Sequence, residues 1–373
     1  MSKYYRLEIQ QIEKLFESVR SQVDYIVGPK LSQGAICLET VENFSELPRG
    51  FRDKQDAGSY NLEATNSDSL FQYSVGPNSL KKFLHPAKQK LWTASKNQLE
   101  DTDFHEEEAP TSRIAFFGMR SCDVKSLEIL DRVFLESGFT NSQYEKQRKD
   151  VVLITASCAE PSSVCFCTSM DHGPKPQKFD LNIIEIYSES SHFFLLQVGS
   201  KIGEIIAGSI NLEKASTEEI QQSEDSYLRA VQKIERTLET KDLKEKIQDN
   251  LESPQWDKIA DKCLSCANCT MVCPTCFCST SYDQSDLEGN HVERWLNWDS
   301  CFNNDFSYIH GGAVRSSTKS KYRQWLSHKF SSWFDQFGSS GCVGCGRCIA
   351  WCPVGIDLTV EIPKVTKQDS ENI

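Results

Sequence analysis

Apolar residues recur at helical spacing at Ile12, Leu15, Phe16 and Val19, which predicts a short amphipathic helix over 8–21. Tyr25–Val27 and Ala35–Leu38 flank a turn running from Gly28-Pro29 to Gly34, the pattern of a hairpin. The stretch 39–69 is polar and loop-rich, and 95–112 reads as an acidic loop with Asp101, Asp103, Glu106, Glu107 and Glu108. Arg113–Gly118 is a buried-strand pattern. It leads through Met119–Cys122 into a helix with Val124, Leu127, Leu130 and Val133 on one face, with Ser121 or Asp123 as candidate cap. Val151–Ala156 predicts a second strand. Asn182–Tyr187 and His192–Val198 predict an antiparallel pair about the turn Glu189-Ser190-Ser191. Residues 223–252 carry the longest helical pattern, with Tyr227, Val231, Ile234, Leu238, Ile247 and Leu251 along it. Ser253-Pro254 ends it, because proline disfavours helical backbone in the residue before it. The expected fold class is α+β: a mixed α/β domain over 1–222, a connecting helix over 223–254, and a tail over 255–373 with few strand signals.

The cysteines sharpen this division. The chain holds 16 in 373 residues, and 11 of them follow residue 260. A chain of this length buries a core without disulfide staples, so such a count points to metal or redox chemistry. Two runs in the tail match each other. Cys263, Cys266, Cys269 and Cys273-Pro274 repeat the spacing of Cys342, Cys345, Cys348 and Cys352-Pro353. Both are C-x2-C-x2-C-x3-C-P, the spacing of a two-cluster [4Fe–4S] protein. Three thiolates at that step wrap three corners of one cube, and the fourth starts a helix turned toward the other. The expected ligand sets are Cys263, Cys266, Cys269 with Cys352, and Cys342, Cys345, Cys348 with Cys273. Gly341, Gly344 and Gly346 allow close backbone approach to the sulfurs. Structural zinc takes two C-x2-C pairs and would leave four of the eight cysteines without a role. Between the runs, Lys321–Phe337 is a helical stretch, so the tail is expected to be an all-helical ferredoxin-like domain.

Cys122, Cys158, Cys165 and Cys167 form a looser middle group. Four thiols suffice for a third cluster or a zinc ion, and buried thiols without metal are the plain alternative. Cys122 stands at a strand-to-helix turn, where a helix N-terminus favours thiolate. Cys276, Cys278 and Cys301 number only three, and packing near the first cluster is expected of them. Cys37 on a strand reads as core. The seven histidines show no metal pair at i, i+4, and no Gly-rich nucleotide fingerprint is present. No catalytic residue, nucleotide or flavin is therefore expected on this chain.

The formal charge of −12 argues against a nucleic-acid binder and against a polybasic membrane anchor. No apolar run approaches a membrane span and no signal peptide is visible, so the expected compartment is the cytoplasm.

Cys263–Cys278, Trp298–Cys301, His310–Gly312, Tyr322–Trp325 and Cys342–Asp357 together resemble the β subunit of soluble sulfhydrogenases, the NAD(P)-linked [NiFe] hydrogenases. Upstream, Val75–Pro77, Lys81–Leu84, Arg120–Asp123 and Cys165–Cys167 fit the same pattern. The chain is also similar to the electron-input subunit of anaerobic sulfite reductase. The resemblance implies an electron-transfer component of an oxidoreductase complex, with no substrate site of its own. Its partners would be the hydrogenase small and large subunits and a flavin subunit handling NAD(P)H, in a hetero-oligomer. Where the family commonly has Arg-Pro-Cys-Asp, this chain has Ser121 before Cys122. The alternatives are that electron-input role in a sirohaem sulfite reductase and, in another class, a zinc-stabilised scaffold.

Overall fold

The computed structural model describes residues 3–97, 101–108, 110–188 and 191–367. An eight-stranded mixed sheet organises the first half. Its order is Glu213–Lys214, Lys3–Leu7, His192–Val198, Leu181–Tyr187, Val152–Ala156, Ile114–Met119, Tyr25–Ser32, Ala35–Val41. The four strands from Leu181–Tyr187 to Tyr25–Ser32 run parallel, and the outer pairs are antiparallel. The strand Ile114–Met119 is buried at every position, as a parallel strand covered on both faces must be.

The expected helix forms as Ile9–Arg20 and seats Ile12, Leu15, Phe16 and Val19 in the core with Phe117 and Ile154. The first hairpin forms with a tighter turn than expected. Tyr25–Ser32 continues through Gly28-Pro29, and the reversal falls at Gln33-Gly34, both left-handed. The second hairpin pairs Leu181–Tyr187 with His192–Val198, and part of its expected turn lies outside the described residues.

Three expectations are corrected. The stretch 223–254 is two helices, Thr217–Gln232 and Leu243–Asp249, around an irregular segment. There Arg236 is drawn off to Asp56 and Asp357, and Asp242 is left-handed. The acidic region is largely paired, with Thr102–Glu106 an exposed edge strand against Lys88–Lys96. The tail is not all-helical: Ser279–Ser285 and His291–Trp298 form a hairpin that joins Lys88–Lys96. His291–Trp298 is only half buried and Ser279–Ser285 is mostly exposed, so the alternation of apolar side chains that marks a strand is weak there.

Tail and sheet share cores. Trp333 and Val343 pack with Val27, Phe116 and Leu130 from the first half, and Val164 and Phe166 pack with the tail residues Trp325, Ile349 and Trp256. The second Cys run is thereby pressed against the C-terminal ends of Ile114–Met119 and Val152–Ala156.

Candidate metal centres

Both Cys runs adopt one backbone. The residue after the first spacer position and the one after the second Cys are left-handed in each: Ser265 and Ala267 in the first run, Gly344 and Gly346 in the second. A short helix then starts, Asn268–Met271 or Arg347–Ala350. The turn points backbone N–H groups at sulfur, Ser265 N to Cys263 Sγ at 3.4 Å and Gly344 N to Cys342 Sγ at 3.3 Å. The second run needs glycine for a further reason. A Cβ at Gly346 would stand 2.2 Å from the Val164 carbonyl oxygen, and one at Gly344 would stand 2.7 Å from backbone atoms of Phe166 and Cys167.

Cys263, Cys266, Cys269 and Cys352 line a single cavity, closed by Phe302, Tyr322, Trp325 and Leu358. Cys348 reaches the same wall, so the second run abuts the first set. Cys352 of the second run thus lines the same cavity as the first triad. Cys266 is exposed, and Leu264 beside it is 63% exposed, so this set lies at the surface. Cys273 sits among Cys342, Cys345 and Cys348, close enough for each to oppose ionisation of its neighbours.

Burial pushes most of these thiols upward, Cys342 to about 12, because a lone thiolate loses its hydration. Iron reverses that preference, since a coordinating thiol is deprotonated by the metal charge. Cys273 is shifted the other way, held low by hydrogen bonding from Cys276 and by Lys329.

The middle group converges as well. Cys122, Cys158, Cys165 and Cys167 line one cavity with Cys345, Arg120 and Arg347. Arg120 spends its terminal nitrogens on the carbonyls of Phe71, Tyr73, Ala156 and Ser157. Arg347 donates to Asp123 at 2.8 Å and to the Gly76 carbonyl at 3.2 Å. Yet Arg120 Nε and Arg347 Nη1 are buried without a partner. Two orphaned guanidinium N–H groups beside four thiols fit an anionic occupant, because a buried donor left unmade is costly. Among the described residues, no three or more His, Cys, Asp or Glu side chains converge as they would around one metal ion.

Arg120, Arg347 and Lys329 went unrecognised as site residues in the sequence. The available signal was an arginine inside a run otherwise made of Cys, Gly and apolar residues. Cys276 lies against Cys273 in the second set, whereas packing near the first was expected. Cys278 and Cys301 face each other, and Cys37 is buried on its strand.

Residues 262–356 match the family model of the 4Fe-4S dicluster domain, which spans both runs. Over 328 residues the chain is 28% identical to sulfhydrogenase 2 subunit beta of Pyrococcus furiosus, covering 86% of this chain and 92% of that protein. The resemblance read from the motifs is therefore borne out. No solved structure matches. No helix among the described residues is long and apolar enough to cross a membrane.

Proposed function

We propose that this chain, a sulfhydrogenase β-like subunit, is the iron–sulfur relay of a cytoplasmic oxidoreductase complex, carrying electrons between a [NiFe] hydrogenase module and a flavin subunit that handles NAD(P)H. The observation that carries the reading is the single cavity shared by Cys263, Cys266, Cys269 and Cys352. That Cys352 lines one cavity with three cysteines 83 or more positions before it supports a crossed two-cluster site. The second set is Cys342, Cys345, Cys348 and Cys273, and Cys122, Cys158, Cys165 and Cys167 hold a third cluster. When bound, the clusters supply one-electron storage and transfer.

The chain's own residues do the rest. Backbone N–H groups of Ser265, Gly344 and Ile356 hydrogen-bond sulfur and tune the sites. Phe302, Tyr322 and Trp325 exclude water from the inner wall of the first site. Cys348 and Cys345 stand at the junctions of the second set with the first and the middle sites, which makes the three a continuous series. The exposed edge at Cys266 and Leu264 is where an outside redox partner comes within range.

Iron and acid-labile sulfide analysis of anaerobically purified chain tests this reading. About twelve iron per chain are expected, and about eight in a Cys165→Ser, Cys167→Ser variant. Four or fewer in the fully loaded chain would refute it. Co-purification with a [NiFe] large subunit is expected of the native complex, and co-purification with a sirohaem protein would refute the hydrogenase assignment.

A further inference from the structure

Lys329 lies in the wide turn His328–Ser332 between the helices Thr318–Ser327 and Trp333–Phe337, and it is 3% exposed. Its ammonium donates to Thr275 Oγ1 at 2.9 Å and to the Gly341 carbonyl at 3.0 Å, both neutral oxygens. The indole of Trp333 covers it at 5.2 Å. A buried ammonium costs several kcal/mol unless an anion compensates it. The thiols that face it are Cys273, Cys276, Cys342, Cys278 and Cys301, and its partner Thr275 Oγ1 lies 3.2 Å from Cys273 Sγ. Cys273 and Cys342 belong to the second ligand set, and the buried Lys81 ammonium faces Cys273 and Cys276 as well.

The first set has no counterpart. Its cavity is lined by Leu264, Phe302, Tyr322, Trp325, Leu358 and their neighbours, with no charged side chain. Two runs with one spacing and one backbone thus differ in surroundings, one with a buried cation beside it and the other with an uncharged wall.

We propose that Lys329 is a positioning residue that acts as a fixed counter-charge and raises the reduction potential of the cluster held by Cys342, Cys345, Cys348 and Cys273. The proposal rests on the two-cluster reading above. Adding one electron makes a cluster more negative by one charge. A cation fixed nearby in a low-dielectric interior stabilises the reduced form more than the oxidised form. Lys329 also holds the loop it tunes. Its bonds to Thr275 and to Gly341 tie the residues that flank Cys273 and Cys342, so its distance from the sulfurs is set by the same contacts.

The test is a redox-poised EPR titration of the full-length, cluster-loaded chain, wild type beside K329M, K329Q and K329R. The signal of the second set is identified by its loss in C342S. In the two neutral variants its oxidised-to-reduced ratio at a fixed potential should rise at least tenfold, a downward shift of about 59 mV for one electron. The other signals should stay in place, and K329R should keep the wild-type midpoint. Unchanged midpoints in the neutral variants, or an equal shift of every signal, would overturn the proposal. Should both neutral variants lose the second cluster, K329R decides. Retention of its full iron content supports the counter-charge, and loss of about four iron there makes Lys329 a packing element and overturns it. A wild-type chain with four or fewer iron would instead remove the cluster reading itself.

Discussion

His85 gives this protein a pH-dependent stability whose size follows from its surroundings. The imidazole is 2% exposed, packed at 4.8 Å from the Phe134 ring and at 6.3 Å from Trp298. Its Nε2 has no hydrogen-bond partner. Burial, and then the nearby Lys81 ammonium, push its pKa down from 6.5 to about 4. The folded chain therefore binds this proton less readily than the unfolded chain. The stability is fully present above the unfolded value of 6.5 and is lost as pH falls from there toward 4. Each pH unit between those two values is worth about 1.36 kcal/mol. Of the ~3 kcal/mol in total, about 2 kcal/mol disappears between pH 7 and pH 5. His85→Phe keeps a ring against Phe134 and removes the titration. Urea unfolding of the cluster-loaded chain, followed by tryptophan fluorescence, should find wild type losing about 2 kcal/mol more than the variant between those two pH values. A difference between the two proteins that does not change with pH would refute the reasoning.

The buried ion pair of Arg347 with Asp123, at 2.8 Å and with side chains 5% and 0% exposed, should cost ~3–5 kcal/mol when either partner is removed alone, as in R347M or D123N. The double variant should cost no more than the worse single one, and a double-mutant cycle by urea unfolding with strictly additive costs would contradict this. Gly346→Ala should destabilise the chain by several kcal/mol, combining left-handed backbone strain with the clash against Val164. Gly338→Ala carries similar strain with open space around it and should cost only about 1–2 kcal/mol, so equal effects in thermal unfolding would show that the close approach is unimportant.

Much of the site was legible in the chain because ligand spacing is a local property. C-x2-C-x2-C-x3-C-P dictates which thiols share a turn, and the doubled run indicates which fourth cysteine crosses over. Apolar patterning likewise placed the helix Ile9–Arg20, which has one covered face, and the strands Ile114–Met119 and Val152–Ala156, which are unbroken apolar runs covered on both faces. Where that covering is partial, as in the hairpin Ser279–Ser285 and His291–Trp298, the period fades and the strands went unseen. Contacts between distant segments were settled only by folding. Cys122, Cys158, Cys165 and Cys167 carry no spacing rule, and they meet because two neighbouring parallel strands deliver the segments that follow them to one end of the sheet. Lys329 is one lysine among many in the sequence, and becomes a counter-charge only when Thr275 and Gly341 fold over it. Spacing along the backbone encodes which atoms can share a turn. Charge in a low-dielectric interior acts through space, and its neighbours exist only once the chain has closed around them.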